Sequence, residues 1–164
     1  MKKNILLLFG LLSVVISCNK LEVYNQFDDG FAENRWQAKD AKTYDFTIDD
    51  DTKLYNITFR FSHVYDYQFN SIPINFTIIN PNGETQNKQI DLQIKDASGK
   101  ELAECSGDFC DLNYKLEEKI KLQKGNYKVI VSHSFNGPYL PNVLGVGLKV
   151  EEDKKVDTVF GVKL

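Results

Sequence analysis

The sequence predicts an all-β protein, an antiparallel β-sandwich of about eight strands, and three observations carry that prediction. Apolar and aromatic residues recur at every second position in several short runs, the period of a strand with one buried face. Turn chemistry punctuates those runs at short intervals: Asp49-Asp50-Asp51, Asn80-Pro81-Asn82-Gly83 and Asp96-Ala97-Ser98-Gly99. Aromatic residues are abundant, with 11 Phe, 8 Tyr and 1 Trp among 164 residues, and such side chains favour sheets. There is no long helix and no βαβ rhythm, so the sandwich is jelly-roll or immunoglobulin-like rather than parallel.

The N-terminus sets the compartment. Lys2 and Lys3 precede a run from Ile5 to Ile16 that only Gly10 and Ser13 interrupt. That apolar core falls within the roughly 7–15 residues of an export signal and short of the roughly 20 that span a bilayer. The run closes in Val15-Ile16-Ser17-Cys18, which resembles the bacterial lipobox. In such signals the cysteine takes a diacylglyceryl group on sulfur, the bond before it is cut, and the new amino group is acylated. The expectation is a signal peptide over 1–17 and a lipidated Cys18 that leads a tether over 18–30. The competing reading is a soluble secreted protein whose Cys18 merely lies near an ordinary cleavage site. Each buried acyl methylene contributes about 0.8 kcal/mol, so two or three chains hold a protein on a membrane.

Loss of 1–17 removes two lysines and moves the formal charge from −3 to −5. A mixed, mildly acidic surface excludes a nucleic-acid-binding role. The remaining chain is long enough to bury a self-sufficient core.

Elements follow in order. Leu21, Val23 and Phe27 suggest a first strand within the tether. Trp36 precedes Tyr44, Phe46 and Ile48, which alternate with polar residues. Tyr55, Ile57, Phe59, Phe61, His63 and Tyr65 share one face of the strongest strand, and Tyr67 and Phe69 continue it. Ile72, Ile74, Phe76 and Ile78 repeat the pattern, then Ile90, Leu92 and Ile94. The stretch from Leu102 to Cys110 is irregular, and Lys115 to Lys121 is charged enough for a brief helix. Tyr127, Val129 and Val131 form another strand, as do Leu144, Val146, Leu148 and Val150. The domain therefore covers 31–151, and 152–164 is a charged C-terminal tail with an edge strand expected at Thr158 to Val162.

Candidate chemistry is sparse. Cys105 and Cys110 bracket Ser-Gly-Asp-Phe in an exported chain. They form a local disulfide, stay as two free thiols, or ligate a metal; recognisable zinc spacing is missing. His63 and His133 lie in strands among apolar neighbours, and no Gly-x-Ser-x-Gly elbow accompanies them. Ser134 falls on the face opposite His133. Asp49-Asp50-Asp51 and Asp28-Asp29 lack the spacing of a calcium loop and suit solvated turns. Trp36, Tyr65 and Tyr67, with Phe69, offer either a platform for glycan, peptide or partner, or core packing. No catalytic residue, metal site or cofactor is expected beyond the lipid on Cys18.

One ordered set of features resembles a known family. Cys18, Asn34-Arg35-Trp36, Leu54-Tyr55-Asn56-Ile57 leading to Phe59-Arg60, Asn80-Pro81-Asn82-Gly83, Asp96-Ala97-Ser98-Gly99, Lys124-Gly125-Asn126-Tyr127 and Leu144-Gly145-Val146-Gly147-Leu148 are together similar to the gliding-motility lipoproteins of the GldH family in Bacteroidetes. The resemblance runs from Cys18 to about Glu151 and departs at the cysteine pair and the tail. It implies a non-enzymatic cell-envelope lipoprotein whose partners are the bilayer and envelope proteins of a motility or secretion assembly. The outer membrane is favoured over the inner, with the body in the periplasm or at the cell surface. A surface module that binds glycans or peptides is the alternative.

Overall fold

Alternation at period two buries one face of each strand, and two such faces must meet to leave water. In the computed structural model, which describes residues 21–154, they do so as two antiparallel sheets. The first sheet contains β1 (Glu22–Asp28), β11 (Val143–Glu152), β4 (Tyr55–Val64), β8 (Phe109–Ile120) and β7 (Glu104–Ser106), side by side in that order. The second contains β3 (Lys42–Ile48), β9 (Gly125–His133), β5 (Ser71–Ile79) and β6 (Thr85–Gln93). A short pair, β2 (Arg35–Gln37) and β10 (Tyr139–Pro141), caps one end. Eight strands have seven residues or more, and β2, β7 and β10 have three each.

Between the sheets lies the core that the alternation specifies. Phe59 of β4 meets Phe76 of β5 edge to face at 5.2 Å. Ile57, Phe61, Val146, Leu148 and Val150 from the first sheet are buried opposite Tyr44, Ile74, Tyr127, Val129 and Val131 from the second. Removal of a fully buried ring such as that of Phe59 costs about 3–5 kcal/mol. At one side β1 leans on β3, with Tyr24 and Phe46 rings 5.7 Å apart. At the other, Lys88 of the edge strand β6 reaches across to β8, where its ammonium donates to the Leu116 carbonyl at 2.8 Å and meets Glu117 at 3.1 Å. An inward lysine also discourages a foreign strand from pairing with that edge.

Several expectations change. The segment 18–30 is not all tether, because β1 pairs with β11 from Glu22 onward and so belongs to the folded body. No helix forms at Lys115 to Lys121; all of these residues but Lys121 belong to β8, whose register against β4 shifts around Ile57. The shift turns Leu116 into the core while Lys115 and Glu118 pair outside at 2.6 Å. Strand β4 ends at Val64, and the positive φ of Asp66 (53°) turns the chain before Tyr67. Tyr65, Tyr67 and Phe69 therefore do not continue one strand face. The signal peptide, Cys18 and the strand expected at Thr158 to Val162 lie outside the described residues. Among the described residues no helix is long and apolar enough to cross a membrane.

Candidate functional site

On the outer face of the first sheet, β11 presents glycine where its neighbours carry side chains. An added Cβ at Gly147 would stand 2.7 Å from the Gln26 carbonyl oxygen, and one at Gly145 would run into the Phe27 ring. The two glycines thus leave a trough, and Phe27 of β1 lies in it. The Arg60 guanidinium of β4 stacks on that ring, 4.2 Å from its centroid. Asp111 of β8 accepts from Arg60 Nε at 3.0 Å and from Nη2 at 2.7 Å, and it also accepts from Ser62 Oγ. Burial pushes the Asp111 carboxyl up, but the Arg60 and Ser62 hydrogen bonds and the Arg60 charge outweigh it, so its pKa lies below the usual carboxylate value.

This cross-strand chain forms the floor of an open groove of about 550 Å³, whose walls include Thr58, Ser106 and Asn113. The volume falls within the roughly 300–1,000 Å³ of small-molecule sites. Sequence reasoning missed it. Phe27, Gly147, Arg60 and Asp111 are far apart in the chain, and only the spatial order of β1, β11, β4 and β8 brings them into one row. The Gly145-Val146-Gly147 step was the one legible signal.

Of the two readings of the aromatic cluster, core packing is the one that Trp36 and Tyr67 take. Trp36 and Tyr67 are buried, and their polar atoms serve the fold: Trp36 Nε1 donates to the Asp40 carbonyl at 2.7 Å, and the Tyr67 hydroxyl donates to the Pro141 carbonyl at 3.0 Å. Burial alone raises the Tyr67 pKa. Only Tyr65 of the proposed surface is exposed, at 60%. Its backbone N–H donates to the Asp108 carbonyl at 2.9 Å, beside Phe109, which is 55% exposed. Leu102, 48% exposed, lies at the same end of the sandwich, its N–H bonded to the Ile94 carbonyl. That end is opposite the one where Glu22 and Glu152 lie.

The β7–β8 hairpin at the far end is cross-linked. Cys105 and Cys110, directly paired across the two strands, form a disulfide with Cα atoms 4.0 Å apart. No group of three or more His, Cys, Asp or Glu side chains is arranged for a metal among the described residues.

Both histidines are packing residues. His133 Nε2 donates to the Trp36 carbonyl at 3.0 Å, and its Nδ1 accepts from the Phe135 N–H at 3.3 Å. Desolvation lowers its pKa, against the opposing pull of its bonds to the Trp36 and Gln37 backbone. His63 is fully buried; its Nδ1 donates to the Val64 carbonyl at 2.9 Å. Its Nε2 faces Glu101 Oε1 at 3.6 Å, and neither atom has a hydrogen-bond partner among the described residues.

Among known proteins, the chain is 24% identical over 156 residues to the gliding motility lipoprotein GldH of Flavobacterium johnsoniae, covering 91% of this chain and 95% of that protein. Likeness to solved structures is slight. TmCBM61 in complex with beta-1,4-galactotriose overlaps 70% of this chain and 62% of its own at 10% identity and a TM-score of 0.33. Dimeric latent PorU from Porphyromonas gingivalis overlaps 81% of this chain and 13% of its own at 11% identity, also with a TM-score of 0.33. The model of the GldH lipoprotein family matches residues 22–150, the whole span from the start of β1 almost to the end of β11, and the chain belongs to that family.

Proposed function

We propose that this protein is a non-enzymatic component of a gliding-motility or secretion-type assembly, lipid-anchored through Cys18, that acts by protein contacts at the far end of its sandwich. The observation that carries the proposal is the placement of Tyr65, Leu102 and Phe109, exposed on the end opposite Glu22. Three residues lie between Cys18 and Glu22, so four steps of the chain give a reach of at most about 14 Å. The ten residues of β4 span roughly 33 Å. Acylation of Cys18 would therefore hold the Glu22 end against the headgroups and aim the exposed aromatics away from them. Membership of a lipoprotein family supports the anchor, and outer-membrane placement is part of the proposal. Exposed apolar side chains grouped at one end suit a protein contact.

The test is crosslinking in intact cells followed by capture of the membrane-bound protein. Wild type should retrieve envelope proteins, and Tyr65→Ser with Phe109→Ser should lose them while the protein stays folded and membrane-bound. Recovery of the wild type alone, or unchanged recovery by the double variant, overturns the contact surface. Cys18→Ser should release the protein from the membrane fraction.

A further inference from the structure

The groove on the outer face of the first sheet is a second feature that shares only the β7–β8 hairpin with the far end, and we infer that it is a binding site for an uncharged glycan segment. The Arg60 guanidinium there is fixed before any ligand arrives: Phe27 covers one face, and Asp111 holds Nε and Nη2. Its Nη1 donors have no partner among the described residues. A guanidinium on a freely solvated sheet face samples many rotamers, whereas this one presents donors at a fixed place in a concavity, which lowers the ordering cost of binding.

Charge selects against ionic ligands. Arg60 is matched by Asp111, and Lys149 pairs with Glu151 at 2.7 Å. Glu104, on the facing wall, adds a carboxylate rather than a cation. No uncompensated positive charge is left to draw an acidic ligand, and a cationic ligand would meet Arg60 on the floor.

Chemistry selects against a peptide. Strand addition needs an unpaired sheet edge, and the floor of the groove runs over β11 and β4, which are paired on both sides; β8 is open beyond Asp111, but there Lys88 of β6 already takes the Leu116 carbonyl. Its one aromatic ring is already covered by Arg60, so no apolar pocket waits for a side-chain anchor. What the walls do offer is Thr58, Ser106 and Asn113, hydroxyls and an amide that make no side-chain hydrogen bonds among the described residues. Each can both donate and accept, and so can the hydroxyls of a neutral sugar. A groove open along its length admits a polymer segment rather than a single enclosed molecule.

The experiment displays the mature lipoprotein in nanodiscs to an array of neutral and acidic oligosaccharides, with cello-, manno- and xylo-oligosaccharides among the neutral probes. Titration calorimetry follows on the hits. At least one neutral oligosaccharide should bind with a Kd below about 1 mM. Asn113→Leu, an exposed and unbonded position that the fold does not need, should weaken it at least tenfold, as should Arg60→Lys. Thr77→Val, on the outer face of the other sheet, and Tyr65→Ser should leave it unchanged. Binding of acidic glycans only, no neutral glycan bound at 1 mM, or binding indifferent to both groove variants overturns the inference. Partner capture through the far end is read independently and is unaffected by either result.

Discussion

Replacing Gly147 by alanine measures how closely β1 lies on β11. The new Cβ would stand 2.7 Å from the Gln26 carbonyl oxygen and 2.9 Å from Phe27 Cδ2, where ordinary contact begins at 3.4 Å. The closer obstacle is backbone, held in the ladder that pairs Phe27 with Gly147, so β1 must retreat by about 0.7 Å, a large step against a strand spacing of about 4.8 Å. Overpacking of this kind costs about 1–3 kcal/mol, or roughly 3–12 °C in Tm for a body of this size. Urea unfolding followed by the fluorescence of Trp36, the only tryptophan, gives the free energy directly. Phe27→Ala separates the two obstacles. It should relieve the larger part of the cost of Gly145→Ala, whose nearest obstacle is the ring with the Asp28 carbonyl oxygen at 2.9 Å beside it, and a smaller part of the cost of Gly147→Ala, whose nearest obstacle is the Gln26 carbonyl. A Gly147→Ala protein within about 0.5 kcal/mol of wild type, or one fully rescued by Phe27→Ala, would refute the close-approach argument and with it the preformed floor of the groove.

Three further outcomes are expected. Because burial lowers the His133 pKa, the unfolded chain binds that proton more readily; stability should fall as pH drops below about 6.5, and His133→Gln should flatten the urea-midpoint profile between pH 7.5 and 5.5. Joint replacement of Cys105 and Cys110 by alanine should cost about 2 kcal/mol through the freed loop, read as a lower melting temperature that reductant no longer changes. Glu101→Leu should cost little or nothing, because it removes a buried carboxylate oxygen that has no hydrogen-bond partner among the described residues. His63→Leu with Glu101→Leu should hold or raise stability in the same denaturation assay.

The strands were legible wherever burial follows a strict period of two. Tyr44-Asp45-Phe46-Thr47-Ile48 and the β4, β5 and β9 runs lie where alternation puts them, because each has one face in the core. Legibility failed where register changes. The bulge opposite Ile57 and the positive φ of Lys119 break the pattern in β8, so its charged end looked helical. It failed again at Tyr67, since alternation cannot show that Asp66 turns the chain back on itself. The aromatic cluster left a surface platform and core packing both open, and only the fold shows that Trp36 and Tyr67 lie in the core. The groove was illegible for a different reason: a row across four strands depends on sheet order, and no local spacing encodes it.

Strand β1 is the first element after the proposed anchor, and it lies antiparallel to β11 along its own length. A pull applied ahead of Glu22, resisted by whatever holds the far end, therefore acts along the strand axis. Every backbone bond between β1 and β11 is loaded together in shear, instead of one after another as in a zipper opened from its end. A lipid-anchored component of the proposed assembly would draw on that geometry, bearing tension without unravelling from the leash inward.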